Sequence, residues 1–275
     1  MRKVLIFFLY VGIYLGAYER PLVLVTVPAY VSIVQEMAGK AIDVQVIVPP
    51  TADFHSFDPT PKAIEELRRA VLWYCIGEPF EYKIRGTLLR QQNPPTIVDL
   101  RTGLSLIEDH GSTDPHLWTN PRMMMIQIET IRKGLTAAFP KMEEGIGARY
   151  RAVQGRCRQL IEEADRRLSG FEGKPIVIAH GAYGYLCREY GIDQLAIESE
   201  GKEATVRALD GLLKQAKTRG VKTVFSVAQH STQGINRMAQ ILNASIVEVN
   251  PSQPDYFAGE SAAIRAFSAA LKEEK

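Results

Sequence analysis

The sequence contains few cysteines, and their arrangement cannot hold a small fold together. Only three occur in 275 residues, at positions 75, 157 and 187, and no two of them form a CxxC pair. An odd number leaves at least one thiol unpaired within a single chain. Disulfide bonds are therefore excluded as the basis of the fold.

An excess of charge of either sign is also missing. The sequence has 33 lysines and arginines against 31 aspartates and glutamates, which gives a formal net charge of +2. It contains no basic arm, no zinc-finger spacing and no GxxxxGK[ST] phosphate-binding loop. Nucleic-acid binding and nucleotide hydrolysis are therefore poor explanations of its function, because each normally leaves one of these marks.

Long apolar runs are absent apart from one at the N-terminus. Residues 4–17 are uncharged and mostly apolar, and Met1, Arg2 and Lys3 precede them. A membrane-spanning helix needs about 20 apolar residues, and this segment is shorter. A basic start followed by a short apolar segment is typical of a secretory signal peptide. We therefore predict a signal peptide at residues 1–17. An uncleaved anchor, or a first buried strand and helix, is the alternative.

The predicted cleavage has two consequences for the mature protein. Tyr18 stands where lipidation requires a cysteine, so we predict that the mature protein is not a lipoprotein and is free in the compartment that it enters. Removal of residues 1–17 also takes away Arg2 and Lys3 and no acidic residue, which leaves a formally neutral chain. Neutrality further weakens the case for nucleic-acid binding.

The remainder of the sequence alternates short β-branched, apolar runs with helical patterns. Its composition, 46% apolar and 23% charged, is that of a folded globular protein. Strands separated by helices indicate βαβ units and parallel sheets. Four predicted strands precede residue 101 and four follow residue 174, at 22–27, 44–48, 71–76, 96–100, 175–179, 194–197, 222–227 and 245–249.

One long amphipathic pattern lies between the two groups of strands. Apolar residues from Met142 to Leu168 recur every three or four positions, which predicts a helix with one apolar stripe. At 1.5 Å per residue this helix would be about 40 Å long, a length that suits a rigid connector. We therefore predict an α/β fold of two Rossmann-like βα lobes, each with a four-stranded, mainly parallel sheet. The lobes would span residues 18–140 and 171–275, with a backbone helix at 141–170.

Three of the five histidines follow predicted strands. His55 lies in a Pro-rich loop after the second strand, His116 in the loop after the fourth, and His180 at the end of the fifth. Open α/β sheets bind their ligands at the carboxyl ends of strands. We therefore expect these three side chains to meet in the cleft between the lobes. His110 is predicted to be an exposed loop residue. His230 could face the cleft, but a surface or helix-capping role is its default expectation.

The segments around these histidines resemble the metal-binding motifs of a known protein family. They read HSFDPTP from His55, DPHLWTNP from Asp114 and HGAYGY from His180. In this order, with a long helix between the second and third, they are similar to the zinc and manganese group of periplasmic metal-binding proteins. These proteins are the substrate-binding components of ABC importers. The resemblance covers the chain from Pro21 onward and implies that His55, His116 and His180 are metal ligands.

The resemblance also implies a fourth ligand, where this sequence departs from the family pattern. The family commonly has an aspartate after the last strand, and this chain has Asn250, whose neutral amide oxygen binds a cation more weakly. We therefore expect Asn250, the nearby Asp255 or water in the fourth position. A glutamate that the family has after the seventh strand corresponds here to Val227.

The implied ligand set favours zinc. Three neutral imidazoles and one oxygen suit tetrahedral Zn²⁺, whereas Mn²⁺ prefers oxygen-rich sites. The resemblance therefore implies a monomeric binding protein, not an enzyme, that captures Zn²⁺ first and Mn²⁺ next and delivers it to an importer. Because the chain has no ATP-binding motif, its partners would be a membrane permease and a separate ATPase.

Two other classes of protein also fit three histidines. A zinc-dependent hydrolase would keep an open metal position for substrate and would use Asp58 or Asp114 as general base. Both aspartates more simply serve to orient histidine rings. An adhesin or scaffold with a structural metal would lose its stability on chelation. Turnover of substrate by the zinc form would favour the hydrolase.

Overall fold

The computed structural model describes residues 20–109, 112–199, 202–203 and 205–273. The predicted signal peptide at residues 1–17 and the predicted loop residue His110 lie outside these residues. The predicted α/β class is confirmed, with two parallel sheets joined by a long helix.

The first sheet is built from the N-terminal part of the described chain. Its strands are β1 (Leu22–Val25), β2 (Asp43–Val46), β3 (Ala70–Cys75) and β4 (Thr96–Asp99), with helices α1 (Ala29–Ala38), α2 (Pro61–Leu67) and α3 (Pro79–Leu88) between them. All strands are parallel, in the order β2-β1-β3-β4. All four side chains of β1 are buried, since a central strand of a parallel sheet is covered on both faces.

A short hairpin and two long helices follow. The hairpin pairs β5 (Glu108–Asp109) with β6 (Ser112–Thr113), and the helices are α4 (Pro121–Ala138) and α5 (Glu143–Leu168). Helix α4 begins where the side chain of Asn120 accepts a hydrogen bond from the backbone of Arg122, with Pro121 in the first turn. The predicted long helix is α5, of 26 residues. Its predicted stripe is buried at Ile146, Val153, Cys157, Leu160, Ala164 and Leu168.

The second sheet contains β7 (Pro175–His180), β8 (Asp193–Ser199), β9 (Lys202–Glu203), β10 (Thr223–Val227) and β11 (Ser245–Val249). Its helices are α6 (Gly184–Glu189), α7 (Val206–Thr218), α8 (Gln233–Leu242) and α9 (Tyr256–Glu273). The order is β11-β10-β7-β8-β9, and the four longer strands are parallel. The two-residue β9 is an antiparallel edge that the sequence pattern did not predict.

Helix α5 connects the two sheets through the helices packed on it. It contacts α1, α4 and the C-terminal helix α9, so the last element of the chain returns to the first lobe. The backbone N–H of Tyr256 donates to Ser32 Oγ, and the guanidinium of Arg156 lies 4.1 Å from the ring centre of Phe257. Buried residues of both sheets belong to one continuous hydrophobic core. The residue boundaries of the two lobes stay a prediction.

Two further expectations concern the cysteines and the membrane. All three cysteines lie in the described part of the chain, and each is a buried free thiol, in agreement with the expectation that disulfide bonds do not hold the fold together. Among the helices formed by the described residues, none combines the length and the apolar character that a membrane crossing requires.

Candidate metal centre

The side chains of His55, His116 and His180 converge on one point. The distance between the Nε2 atoms of His180 and His116 is 3.1 Å, and that between Nε2 of His55 and Nε2 of His180 is 3.2 Å. Nitrogens about 3.3 Å apart form the edge of a tetrahedron around an ion bound at 2.0–2.1 Å. The three ring nitrogens are therefore spaced as ligands of a single small cation.

The elements that carry these histidines explain the convergence. His180 is the last residue of the buried strand β7, and His116 stands at the turn that leads into α4. His55 follows β2 in the loop that leads to α2. His116 and His180 are 3% and 1% exposed, whereas His55 is partly buried. The histidines therefore come from both sheets and meet between them.

A cavity of about 290 Å³ opens beside the three histidines. Its polar lining includes Glu108, Asp114 and Gln194. A cavity of this size holds several waters as well as an ion. A ligand from solvent can therefore complete the coordination of an ion held by the imidazoles.

A carboxylate orients one of the three rings, and a second carboxylate lies near another. Nδ1 of His116 donates to Oδ1 of Asp114 at 2.8 Å, and Nδ1 of His55 lies 3.5 Å from Oε1 of Glu78. A carboxylate on Nδ1 keeps the proton there, so the lone pair of Nε2 faces the centre. Asp114 thus orients a ring, as the sequence suggested, whereas Glu78 was missed. Asp58 is placed neither to orient a histidine ring nor to act as a general base, because it pairs with Lys83 at the surface.

The backbone around Asp114 is held in turn by the HGAYGY segment. The hydroxyl of Tyr185 donates to the carbonyl oxygen of Asp114 at 2.7 Å and accepts from the backbone N–H of Ile107 at 3.1 Å. A Cβ placed on Gly184 would lie 2.8 Å from Oδ2 of Asp114. Glycine at this position therefore leaves room for the carboxylate that orients His116.

An aromatic wall closes the other side of the centre. The ring of Phe54 lies 4.1 Å from that of His55 and 5.3 Å from that of His116, centre to centre. Trp118 packs against both Phe54 and His116, and its indole N–H donates to the carbonyl oxygen of Pro251 at 2.7 Å. This packing fixes the imidazoles before any ion arrives.

The two residues expected in the fourth position are engaged elsewhere. Oδ1 of Asn250 accepts from the backbone N–H of Ser252 at 2.9 Å. Oδ1 of Asp255 accepts from the backbone N–H of Ala258 at 3.2 Å, at the start of α9. The metal-ligating groups that gather around His180 do not include Asp255. A fourth ligand at Asn250 or Asp255 therefore stays a prediction.

Two other residues adjoin the centre, and the sequence reasoning did not select them. The ring of His230 stacks on that of His180, with centres 3.9 Å apart and planes 11° apart. Nδ1 of His230 donates to Oε2 of Glu198 at 3.3 Å. Of the two roles left open for His230, the structure shows the one that faces the cleft and not the default surface role, because its side chain is only 8% exposed. Both residues lie at or just beyond strand ends, which is the signal that could have found them.

Burial keeps the imidazoles around His180 neutral. Burial, and after it the neighbouring imidazoles, lowers the pKa of His180. Burial also lowers the pKa of His230, to about 4. Both rings are therefore uncharged near pH 7, the form in which histidine binds a metal.

Comparisons with known proteins show which family the chain is similar to. The model of the family described as zinc-uptake complex component A, periplasmic, matches residues 23–270. A Chlamydia muridarum protein, named only as a candidate metal-binding protein, is 27% identical over 248 residues, 90% of each chain. The crystal structure of a ZnuA deletion mutant with zinc bound is 25% identical and superimposes with a TM-score of 0.85, covering 92% of this chain and 98% of that one.

A second structure has the same fold with a different metal. A manganese-bound point mutant of a periplasmic metal-binding protein from Candidatus Liberibacter asiaticus has a TM-score of 0.82 at 22% identity, over 92% of this chain and all of that one. The family match includes both sheets and the connecting helix, which argues against the hydrolase alternative. The chain belongs to the family of zinc-uptake complex component A, the periplasmic metal-binding proteins that are solute-binding components of uptake systems and not enzymes.

Proposed function

We propose that this protein binds one divalent transition-metal ion between Nε2 of His55, His116 and His180, and delivers it to an ABC importer. The observation that carries the proposal is the spacing of these three nitrogens, 3.1 and 3.2 Å along the two measured edges. Imidazoles so close together, with lone pairs facing one point, are stabilised by a cation at that point. The metal is the cargo of the protein.

Zinc is the first candidate for the cargo and manganese the second. The three nitrogen donors, with water from the adjoining cavity, make the four-coordinate set that Zn²⁺ prefers. Mn²⁺ favours more oxygen ligands and binds more weakly in the order of divalent metals. The zinc and manganese ions bound to two structures of this fold leave both in consideration.

The residues of the centre have separate tasks in capture and release. His55 and His116 from the first lobe and His180 from the second hold the ion, while Asp114 and Glu78 keep two rings correctly turned. A fourth position filled by water leaves one ligand that exchanges quickly, which suits a carrier that must release its cargo. A membrane permease with a separate ATPase would receive the ion.

Replacement of His116 by alanine tests the centre. We expect His116→Ala to weaken zinc binding by about 100-fold or more, because it removes one of three protein ligands and leaves Asp114 without its partner. The measurement is a titration with zinc in the presence of a chromophoric chelator, repeated with manganese in competition. The variant Asp255→Ala tests whether this residue is the fourth ligand, and unchanged zinc affinity would leave Asn250 or water in that position. Unchanged zinc affinity in His116→Ala would remove this residue from the site.

The cellular setting is a further proposal. We infer that residues 1–17 direct the chain into the periplasm and are then removed, and that the mature protein acts as a monomer with lobes at 18–140 and 171–275 joined by the helix at 141–170. The family's periplasmic character supports this setting. N-terminal sequencing of the exported protein is expected to begin near Tyr18, and a chain that still begins at Met1 would contradict cleavage.

A further inference from the structure

A second set of metal-ligating groups shares His180 with the three-histidine centre. Ligand atoms of His180, Glu198 and His230 lie within 4.8 Å of one another. Two imidazoles and one carboxylate are a donor set that protein zinc sites use, with the remaining position open. The set is therefore chemically complete for a transition-metal ion.

The strand order brings these three residues together. His180 is paired in register with Glu198 on the neighbouring parallel strand β8, so both side chains project from the same face of the sheet. Strand β10 lies on the other side of β7, and His230 follows its end. The loop after β10 thus carries His230 over the ring of His180 to meet Glu198.

The backbone before His230 is held in an uncommon conformation. Gln229 has a φ of 69°, a region that residues with a side chain rarely adopt without support. Its side-chain amide donates to the carbonyl oxygen of Pro50 at 2.6 Å, in the loop that also carries His55. The loop after β10 is therefore bonded to the loop that carries His55, and this contact holds His230 next to the first centre.

One atom of His180 has no task in the first centre. Its Nε2 faces His55 and His116, whereas its Nδ1 is buried and has no hydrogen-bond partner among the described residues. An unpartnered buried nitrogen is costly in free energy and rare in proteins. Neither Asp114 nor Glu78 orients this ring, which is covered instead by that of His230.

We propose that His180, through its unpartnered Nδ1, forms with Glu198 and His230 a second position for a divalent transition-metal ion, alternative to the three-histidine position, which uses Nε2 of His180. This inference rests on the proposed function. The stacked rings are parallel, so their lone pairs do not meet at one point. His230 must tilt away from His180 to bind, and a single ion occupies one position or the other.

The test uses zinc alone and a chain whose first position is disabled. In His55→Ala/His116→Ala we expect one zinc ion per chain, bound about 100-fold more weakly than in the wild type. Adding His230→Ala or Glu198→Gln is expected to weaken this residual binding by about tenfold or more. Glu248→Gln, an exposed carboxylate on β11, is the matched control and is expected to change nothing.

The outcomes separate the two proposals. Equal zinc affinity in the wild type and in His55→Ala/His116→Ala would overturn the proposed function. A folded double variant that binds no zinc, or binds it equally well after His230→Ala, would overturn the second position alone. Circular dichroism of each variant without metal checks the fold.

If His55→Ala/His116→Ala does not fold, a kinetic measurement tests the second position instead. His230→Ala in the otherwise unchanged chain is expected to slow the transfer of bound zinc to excess chelator by about fivefold, because the ion loses its intermediate ligand. Glu248→Gln is again the control. Equal transfer rates in these two variants would contradict the second position.

Discussion

At the scale of single residues, the three histidines of the centre are held by different means. His116 and His55 each have a carboxylate near Nδ1, from Asp114 and Glu78 respectively. His180 has none and is fixed by its place in a buried strand and by the ring stacked on it. Metal affinity should therefore depend on Asp114 through the orientation of the His116 ring.

Substitution of Asp114 should weaken metal binding without removing a ligand. We expect Asp114→Ala to raise the dissociation constant for zinc by about 10- to 100-fold, because the ring of His116 loses the partner that fixes its orientation and tautomer. A competition titration measures the change. Asp58→Ala is the control, since Asp58 pairs with Lys83 on the surface. Equal effects of the two substitutions would show that the orienting carboxylate has no part in binding.

At the scale of elements, the C-terminal helix α9 packs against the connecting helix α5. Glu163 of α5 accepts hydrogen bonds from Ser261 and Arg265 of α9, and from Arg167 one turn further along its own helix. Burial by itself raises the pKa of Glu163, but these hydrogen bonds outweigh it and lower the pKa to about 2. The ionised carboxylate therefore stabilises the packing of the two helices.

This carboxylate should make stability depend on pH. A pKa that is lower in the folded than in the unfolded chain contributes stability above about pH 4.5, and the contribution is lost as the pH falls toward 2. We expect Glu163→Gln to reduce the free energy of unfolding by about 1–2 kcal/mol at pH 7, with a smaller difference at pH 3. Urea denaturation at both pH values measures it. The exposed neighbour Glu162 provides the control, as Glu162→Gln. A difference that does not change with pH would contradict this role.

At the scale of the whole molecule, the centre lies between two sheets, so a bound ion connects parts of the chain that are distant in sequence. His55 and His180 are 125 positions apart, and both face the same ion site. A ligand that binds only the folded state stabilises that state in proportion to its occupancy. Metal binding should therefore be visible in the unfolding of the entire protein.

Zinc should raise the melting temperature reversibly. At a free concentration 100 times the dissociation constant, a ligand adds about 2.7 kcal/mol, which corresponds to roughly 5–10 °C for a chain of this size. Scanning calorimetry with zinc, and again after chelation, measures the shift. We expect the chelated protein to remain folded, with its transition back at the metal-free temperature. Unfolding on chelation would instead favour a structural metal. The control is His55→Ala/His116→Ala, in which the weaker residual binding is expected to give a much smaller shift.

The two sheets and the long helix between them could be expected from sequence because they follow from local periodicity. The meeting of the three histidines was expected from their positions after strands and from the resemblance of their motifs to a known family. Buried strands such as β1 and β7 read as short apolar runs, and His180 ends one of them. The long stripe on α5 follows from a spacing of three and four residues. These patterns depend on neighbours in the chain and need no knowledge of tertiary contacts.

The parts that sequence reasoning missed depend on loop conformation. Whether His230 faces solvent or His180 is decided by the positive φ of Gln229 and its bond to Pro50, which no periodicity encodes. The side chain of Asn250 binds its own loop, and Asp58 pairs with Lys83 on a different element. For each of these side chains the sequence permits several hydrogen-bond or ion-pair partners, and only the folded loop determines which partner is bound.

The three buried thiols impose an order of events on a protein of a periplasmic family. Burial, before any other cause, raises the pKa of the Cys75 and Cys157 thiols to about 12, so almost no thiolate is present at neutral pH. An oxidising compartment therefore leaves the folded chain untouched, although it readily joins exposed thiols. In such a compartment folding must outpace oxidation, because an unfolded chain exposes the three thiols to disulfide cross-linking that their burial prevents in the folded chain.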